Sequence, residues 1–226
     1  MSGGTARSVH HIGVPWLRCH TGRIVEAGTA GAAGGELPDS PGDVPSGGPP
    51  SGDVIDGRGV VLAPGFVDLQ VNGVDDVDFA SATPEQFERA GRSLAAHGVT
   101  AYCPTVCTAP LDEYPRMLAA LAAARTAAAG RADLPEILGV HLEGPFLGAA
   151  PGAHPVDLVR PVELGWLREL LDAFPGLIRI VTLAPEADPG FAGIRLLRER
   201  GVVVALGHRA RATTSRARQS TRGRAW

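Results

Sequence analysis

The chain has 226 residues, 44% hydrophobic and 20% charged, enough apolar material for one sizeable core or a domain and a fraction. A net charge of −3 and 5% aromatic content supply no global field for nucleic acid or membrane and few platforms for base stacking. No apolar run reaches the roughly 18 residues a membrane helix needs, and no N-terminal stretch is organised as a signal peptide. The expectation is therefore a cytoplasmic protein with neither a nucleic-acid nor a membrane partner.

In chain order, the first ten residues are polar. "GRIVEAG" (22–28) reads as a short strand closing on Gly28. Residues 29–52 are rich in Gly, Pro and Ala with no periodic apolar face, as expected of an exposed loop. Strand character resumes at Val54 and Ile55 and runs through "VLAPGFVDLQVNG". Residues 1–62 thus form a small β element split by the loop. A helix over 83–98 is announced by Thr83 as N-cap, Pro84 at its first position, Glu85 in the first turn and Gly98 at its end.

"VTAYCPTV" (99–106) reads as a strand, and 111–130 as a helix that must hold Pro115 in its first turn. "EILGVHLEG" is a strand, 161–176 a helix, 177–186 a strand, 189–201 a helix, and "VVVALGH" (202–208) a strand. Short apolar strands alternating with helices specify a parallel α/β sheet of about five strands. Doubly wound and (β/α)8 arrangements both fit that count. Residues 209–226 carry Arg at 209, 211, 216, 218, 222 and 224, with no acidic residue and no apolar period, and read as a solvated tail rather than a nucleic-acid arm.

Polar residues interrupt the apolar strands at their C-terminal ends, the edge where parallel α/β folds bind ligands. They are Asp68, Gln70 and Asn72, then His141 and Glu143, then Glu186, then His208. Singly, each has a structural explanation as a turn or cap residue. Glu143 and His208 together have the chemistry of ligands to Zn²⁺ or a similar ion, which polarises a carbonyl and activates water. Two ligands are too few, and no third stands out, although His141 alternates with Glu143 and shares its face. His154, in a Gly/Pro loop, is better suited to a substrate contact. Cys19, Cys103 and Cys107 have neither CxxC spacing nor a nearby histidine cluster and read as ordinary thiols.

"VLAPGFVDLQVNG", "GVTAYCPTV", "GVHLEGPFLGAAPGAHP", "VTLAPE" and "VVVALGH" occur in the order seen in N-acetylglucosamine-6-phosphate deacetylases of the amidohydrolase superfamily. The resemblance covers about residues 54 to 208. It implies a metal-dependent (β/α)8 TIM barrel with a small β-sandwich element, and hydrolysis of N-acetylglucosamine 6-phosphate to glucosamine 6-phosphate and acetate. It further implies one divalent ion, zinc foremost with iron, manganese or cobalt compatible, held by Glu143 and His208. Ala153 and His154 are implied to contact the sugar phosphate. Gln70 and Asn72 fall where many amidohydrolases carry an HxH metal pair. The family assembles as a homodimer.

The resemblance stops after the fifth strand. The family's second histidine ligand and its general-base aspartate follow later strands, so no catalytic residue is assigned within the chain. The expectation is an incomplete barrel, residues 63–208, with open sheet edges. It would be truncated or frameshifted near residue 208 and have little activity alone. The alternatives are a different amidohydrolase, disfavoured because "DLQVNG" holds no histidine, and a non-catalytic, basic-tailed product.

Overall fold

The computed structural model describes residues 63–209, together with the backbone of two earlier strands. Those are β1 (Trp16–His20) and β2 (Arg23–Gly28), which pair antiparallel as a two-stranded sheet. The strand expected near 22–28 is thus present. The Gly/Pro-rich segment 29–52, Val54 and Ile55, and the Arg-rich stretch after Arg209 lie outside the described residues.

From β3 (Phe66–Val71) onward the chain alternates strand and helix. After β3 comes a small antiparallel hairpin, β4 (Gly73–Val74) with β5 (Val77–Asp78). Helix α1 (Pro84–Ala96) starts where the sequence predicts. The Thr83 hydroxyl accepts from the Gln86 amide N–H, and the Gln86 side chain accepts from the Thr83 N–H, a reciprocal capping box. Then follow β6 (Val99–Val106), α2 (Tyr114–Ala128) with Pro115 in its first turn, β7 (Glu136–Ile137) and β8 (Val140–Glu143). The series ends with α3 (Leu164–Ala173), β9 (Ile178–Leu183), α4 (Ala192–Glu199) and β10 (Val203–Leu206).

The stretch expected as one strand, 136–144, is broken between β7 and β8. Gly139 sits there at φ 147, where an added Cβ would overlap the Leu177 carbonyl and the Arg179 side chain. Only glycine allows that approach, and the break delivers β8 from its partner β6 to β9 on its other side.

Strand order in the main sheet is β10-β9-β8-β6-β3, with β7 also on β6, and every pairing is parallel. Spatial order therefore follows chain order without reversal. A doubly wound sheet reverses at a switch point; this one winds in one direction, as a (β/α) barrel does. The fold is an incomplete barrel, a curled half-barrel of five principal strands.

Helices bury one stripe each against the sheet: Phe87, Ala90 and Leu94 from α1, Met117, Leu118 and Leu121 from α2, Leu167, Leu170 and Leu171 from α3, and Leu196 and Leu197 from α4. Fully burying one such leucine contributes about 1.5–3 kcal/mol. The border strands differ. Phe66, Val67 and Leu69 on β3, and Val203 and Leu206 on β10, are more than half exposed. Among the described residues, the two border strands of the sheet are thus apolar and exposed.

Candidate metal centre

Parallel strands put their C-terminal ends along one rim, and a cluster of polar side chains gathers there. Glu143 ends β8 and is only 8% exposed. His208 follows β10, and its Nε2 lies 3.0 Å from Glu143 Oε1. His154, 9% exposed in the loop after β8, brings its Nε2 to 3.8 Å from Glu143 Oε2. The imidazoles of His154 and His208 meet edge to face, with ring centroids 4.8 Å apart. Ala153, beside His154, is exposed.

Local sequence builds this arrangement. Gly144, directly after Glu143, has φ 91, and a Cβ there would overlap the Thr108 hydroxyl. That lets Thr108 approach the turn and hold His154. The Thr108 backbone N–H donates to His154 Nδ1 at 3.3 Å, and the hydroxyl lies 2.9 Å from the same nitrogen. A backbone N–H can only donate, so Nδ1 is an acceptor and the neutral ring carries its hydrogen on Nε2. His154 thus points an N–H toward Glu143.

Burial tends to raise the Glu143 carboxyl, but its neighbours His208, His154 and Gln70 together outweigh that and hold the group below the usual range. Burial lowers His154, partly offset by the Glu143 charge. The rim is therefore anionic at Glu143, flanked by a neutral His154.

The residue after β6 completes the cluster. Cys107 Sγ lies 3.7 Å from Glu143 Oε2, and Asn72 Nδ2 donates to that sulfur at 2.8 Å. Cys107, Glu143 and His154 offer donor atoms all within 4.8 Å of one another. Burial, reinforced by the Glu143 charge, pushes the thiol up to about 11. A carboxylate, an imidazole and a half-buried thiol whose donor atoms converge have the chemistry to suit a divalent cation of borderline softness. As hydrogen-bonded here, the His154 Nε2 carries its hydrogen toward Glu143, and so does the His208 Nε2, since a carboxylate can only accept.

Other rim residues from the sequence serve elsewhere. His141 is 3% exposed, with Nδ1 2.8 Å from the Leu69 carbonyl and Nε2 2.8 Å from the Thr182 hydroxyl. Both nitrogens are engaged below the rim, so it braces β3 to β9 across β8. Asp68 accepts the Gln70 N–H at 3.0 Å and shapes a turn. Glu186 lies in a 3₁₀ turn with its carboxylate against Gly148.

No protein-family model matches the chain. It is 40% identical over 156 residues to N-acetylglucosamine-6-phosphate deacetylase of Bos taurus, covering 66% of this chain and 37% of that protein. A structure from Mycobacterium smegmatis, an aspartate-to-alanine variant of N-acetyl-D-glucosamine-6-phosphate deacetylase in complex with N-acetyl-D-glucosamine-6-phosphate, superposes with TM-score 0.67 at 33% identity. That match covers 86% of this chain and 45% of the other. The chain belongs to the N-acetylglucosamine-6-phosphate deacetylase family.

An N-acetylgalactosamine-6-phosphate deacetylase of Escherichia coli O157:H7 is also related, 34% identical over 151 residues that make up 66% of this chain and 39% of that protein. The chain thus spans about two fifths of the length of such deacetylases. In this deacetylase-family chain, three of the side chains that meet at the rim, Glu143, His154 and His208, are ones the sequence singled out, and Cys107, read there as an ordinary thiol, joins them because it comes first after a strand, on the same rim as Asn72 and Glu143.

Proposed function

We propose that this chain carries the metal-binding and part of the sugar-binding side of a metal-dependent deacetylase that hydrolyses N-acetylglucosamine 6-phosphate to glucosamine 6-phosphate and acetate. The observation that carries the reading is Glu143 at a strand tip, bonded to His208 and faced by His154. Glu143 and His208 hold one divalent ion, zinc being best suited to a carboxylate–imidazole set, with iron, manganese or cobalt compatible. When bound, that ion supplies Lewis-acid polarisation of the amide carbonyl and a readily deprotonated water.

The chain's own residues orient the substrate. His154, locked by Thr108, presents an Nε2–H that donates to an oxygen of the sugar, and Ala153 lines the same loop. The family resemblance puts the general base outside the described residues; such a group contributes about 10²–10⁴-fold, so the described segment by itself is a slow catalyst.

The test combines metal analysis with acetate release by the purified chain. About one zinc per chain is expected in the wild type, little in Glu143→Gln, and slow acetate release that disappears in the variant. No bound metal, or zinc retained by the variant, rejects the ligand assignment. Turnover matching a full-length deacetylase rejects the low-activity part. The related galactosamine enzyme makes the C4-epimeric sugar phosphate the second substrate to assay. Faster acetate release from that epimer would replace the glucosamine assignment.

A further inference from the structure

We propose that His141 is a positioning residue of this rim: through the Leu69 carbonyl it holds a one-residue bulge in β3 that turns Asn72 toward Cys107, beside Glu143. The geometry rests on strand register, and its consequence for the site rests on the metal reading above. Along β3 and β6, Asp68 stands opposite Tyr102 and Val71 opposite Pro104. Three steps on β3 therefore match two on β6, which leaves one extra residue between Asp68 and Val71. Such an insertion reverses the face that later side chains occupy. Without it, Asn72 would stand opposite Val106, which is fully buried in the hydrophobic core. With it, Val71 packs against that core and the Asn72 amide donates to Cys107 Sγ at 2.8 Å.

Side chains meet the backbone groups around the bulge. The Gln70 N–H donates to Asp68 Oδ1 at 3.0 Å, and the Val71 N–H donates to the Thr105 hydroxyl at 3.1 Å. The Leu69 carbonyl accepts from His141 Nδ1 at 2.8 Å. Asp68 lies on the same strand and Thr105 on the adjacent one. Of the three, only His141 reaches from two strands away, on β8. The Thr182 hydroxyl of β9 fixes its ring by donating to Nε2 at 2.8 Å. Val67, Leu69 and Val71 would equally suit an unbroken alternation of faces; the bond from β8 selects the bulged register. Gln70, within the bulge, is one of the neighbours that hold the Glu143 carboxyl low. One bulge thus brings two amides to the same niche.

The experiment introduces one thiol at the tip of β3 in the metal-free full chain, oxidises it mildly and seeks a link to Cys107 by peptide mass spectrometry. Asn72→Cys is expected to form that disulfide, and Val71→Cys is not. Adding His141→Leu should lower the Asn72→Cys link about tenfold and raise the Val71→Cys link, the exchange that a one-residue slip requires. Thr105→Val should act in the same direction. His141→Gln, which keeps a donor for Leu69, should restore much of the original pattern. An unchanged pattern, or loss of the Asn72→Cys link with no gain at Val71→Cys, overturns the bulge as His141's work. In the chain without added thiols, His141→Leu should weaken zinc binding about 10–100-fold, with His141→Gln between. An exchanged link pattern with unchanged zinc affinity overturns the positioning role. A parent chain that binds no zinc rejects the metal reading, and the link pattern then decides the bulge by itself.

Discussion

Replacing His141 by leucine tests whether the brace beneath the rim holds the half-barrel together. The ring must carry hydrogen on Nδ1 to donate to the Leu69 carbonyl, so Nε2 accepts from the Thr182 hydroxyl, each at 2.8 Å. Leucine strands both partners. Thr182 is 7% exposed, and a buried hydroxyl left unpaired costs about 1–3 kcal/mol. The half-buried Leu69 carbonyl adds about 0.5–1.5 kcal/mol. The total, about 2–4 kcal/mol, corresponds to a fall in Tm of about 5–15 °C for a chain of this size.

Urea denaturation of the metal-free protein, followed by far-ultraviolet circular dichroism, measures the change without interference from ligand binding. Thr182→Val should cost less than His141→Leu, because its removal leaves only one ring nitrogen unpaired. The double variant removes both partners and should recover about 1–2 kcal/mol relative to the sum of the singles. Strict additivity would refute the brace and reduce His141 to a space-filling side chain.

Asp188, 3% exposed, accepts from the Gly193 and Ile194 backbone N–H groups at 3.1 and 2.9 Å and serves as the cap that left-handed Phe191 cannot supply to α4. Asp188→Ala should lower stability by about 2 kcal/mol, read by thermal melting, with Asp188→Asn retaining part of it. Gly148 donates to the His208 carbonyl at 3.1 Å, and an added Cβ would crowd that oxygen and the Glu186 carboxylate. Gly148→Ala should displace His208 and weaken zinc binding about 10–100-fold by calorimetry. Tyr102 is pushed up to about 12 by burial and Tyr114 further still. The unfolded chain releases their protons from about pH 10, where the folded chain retains them. Their contribution is complete below pH 10 and is lost as pH rises toward 12. Ultraviolet titration should show phenolate appearing only with unfolding.

What the amino-acid order made legible was whatever chemistry is local. The Thr83–Gln86 box lies within four residues, and α1 begins where it should. Pro115 marks the first turn of α2 in the same way. Strand depth was not legible. His141 and Glu143 alternate on one face of β8, yet one is a brace and the other a rim carboxylate, a distinction set by contacts with β3 and β9 some 40 to 70 residues away. The break at Gly139 hid inside an apolar run, and the β4–β5 hairpin was too short to leave a periodic signal. Cys107 acquires its neighbours only when β6 and β8 lie side by side. The winding direction likewise emerged only from spatial strand order.

The exposed aliphatic and aromatic side chains of β3 and β10 carry a practical consequence. Both borders run the same way, so the tenth strand of one molecule can continue into the third of the next without reversing direction. Such head-to-tail addition has no built-in stopping point unless a ring closes. Preparations of the isolated polypeptide should therefore grow larger with concentration, and dilution is the first remedy to try.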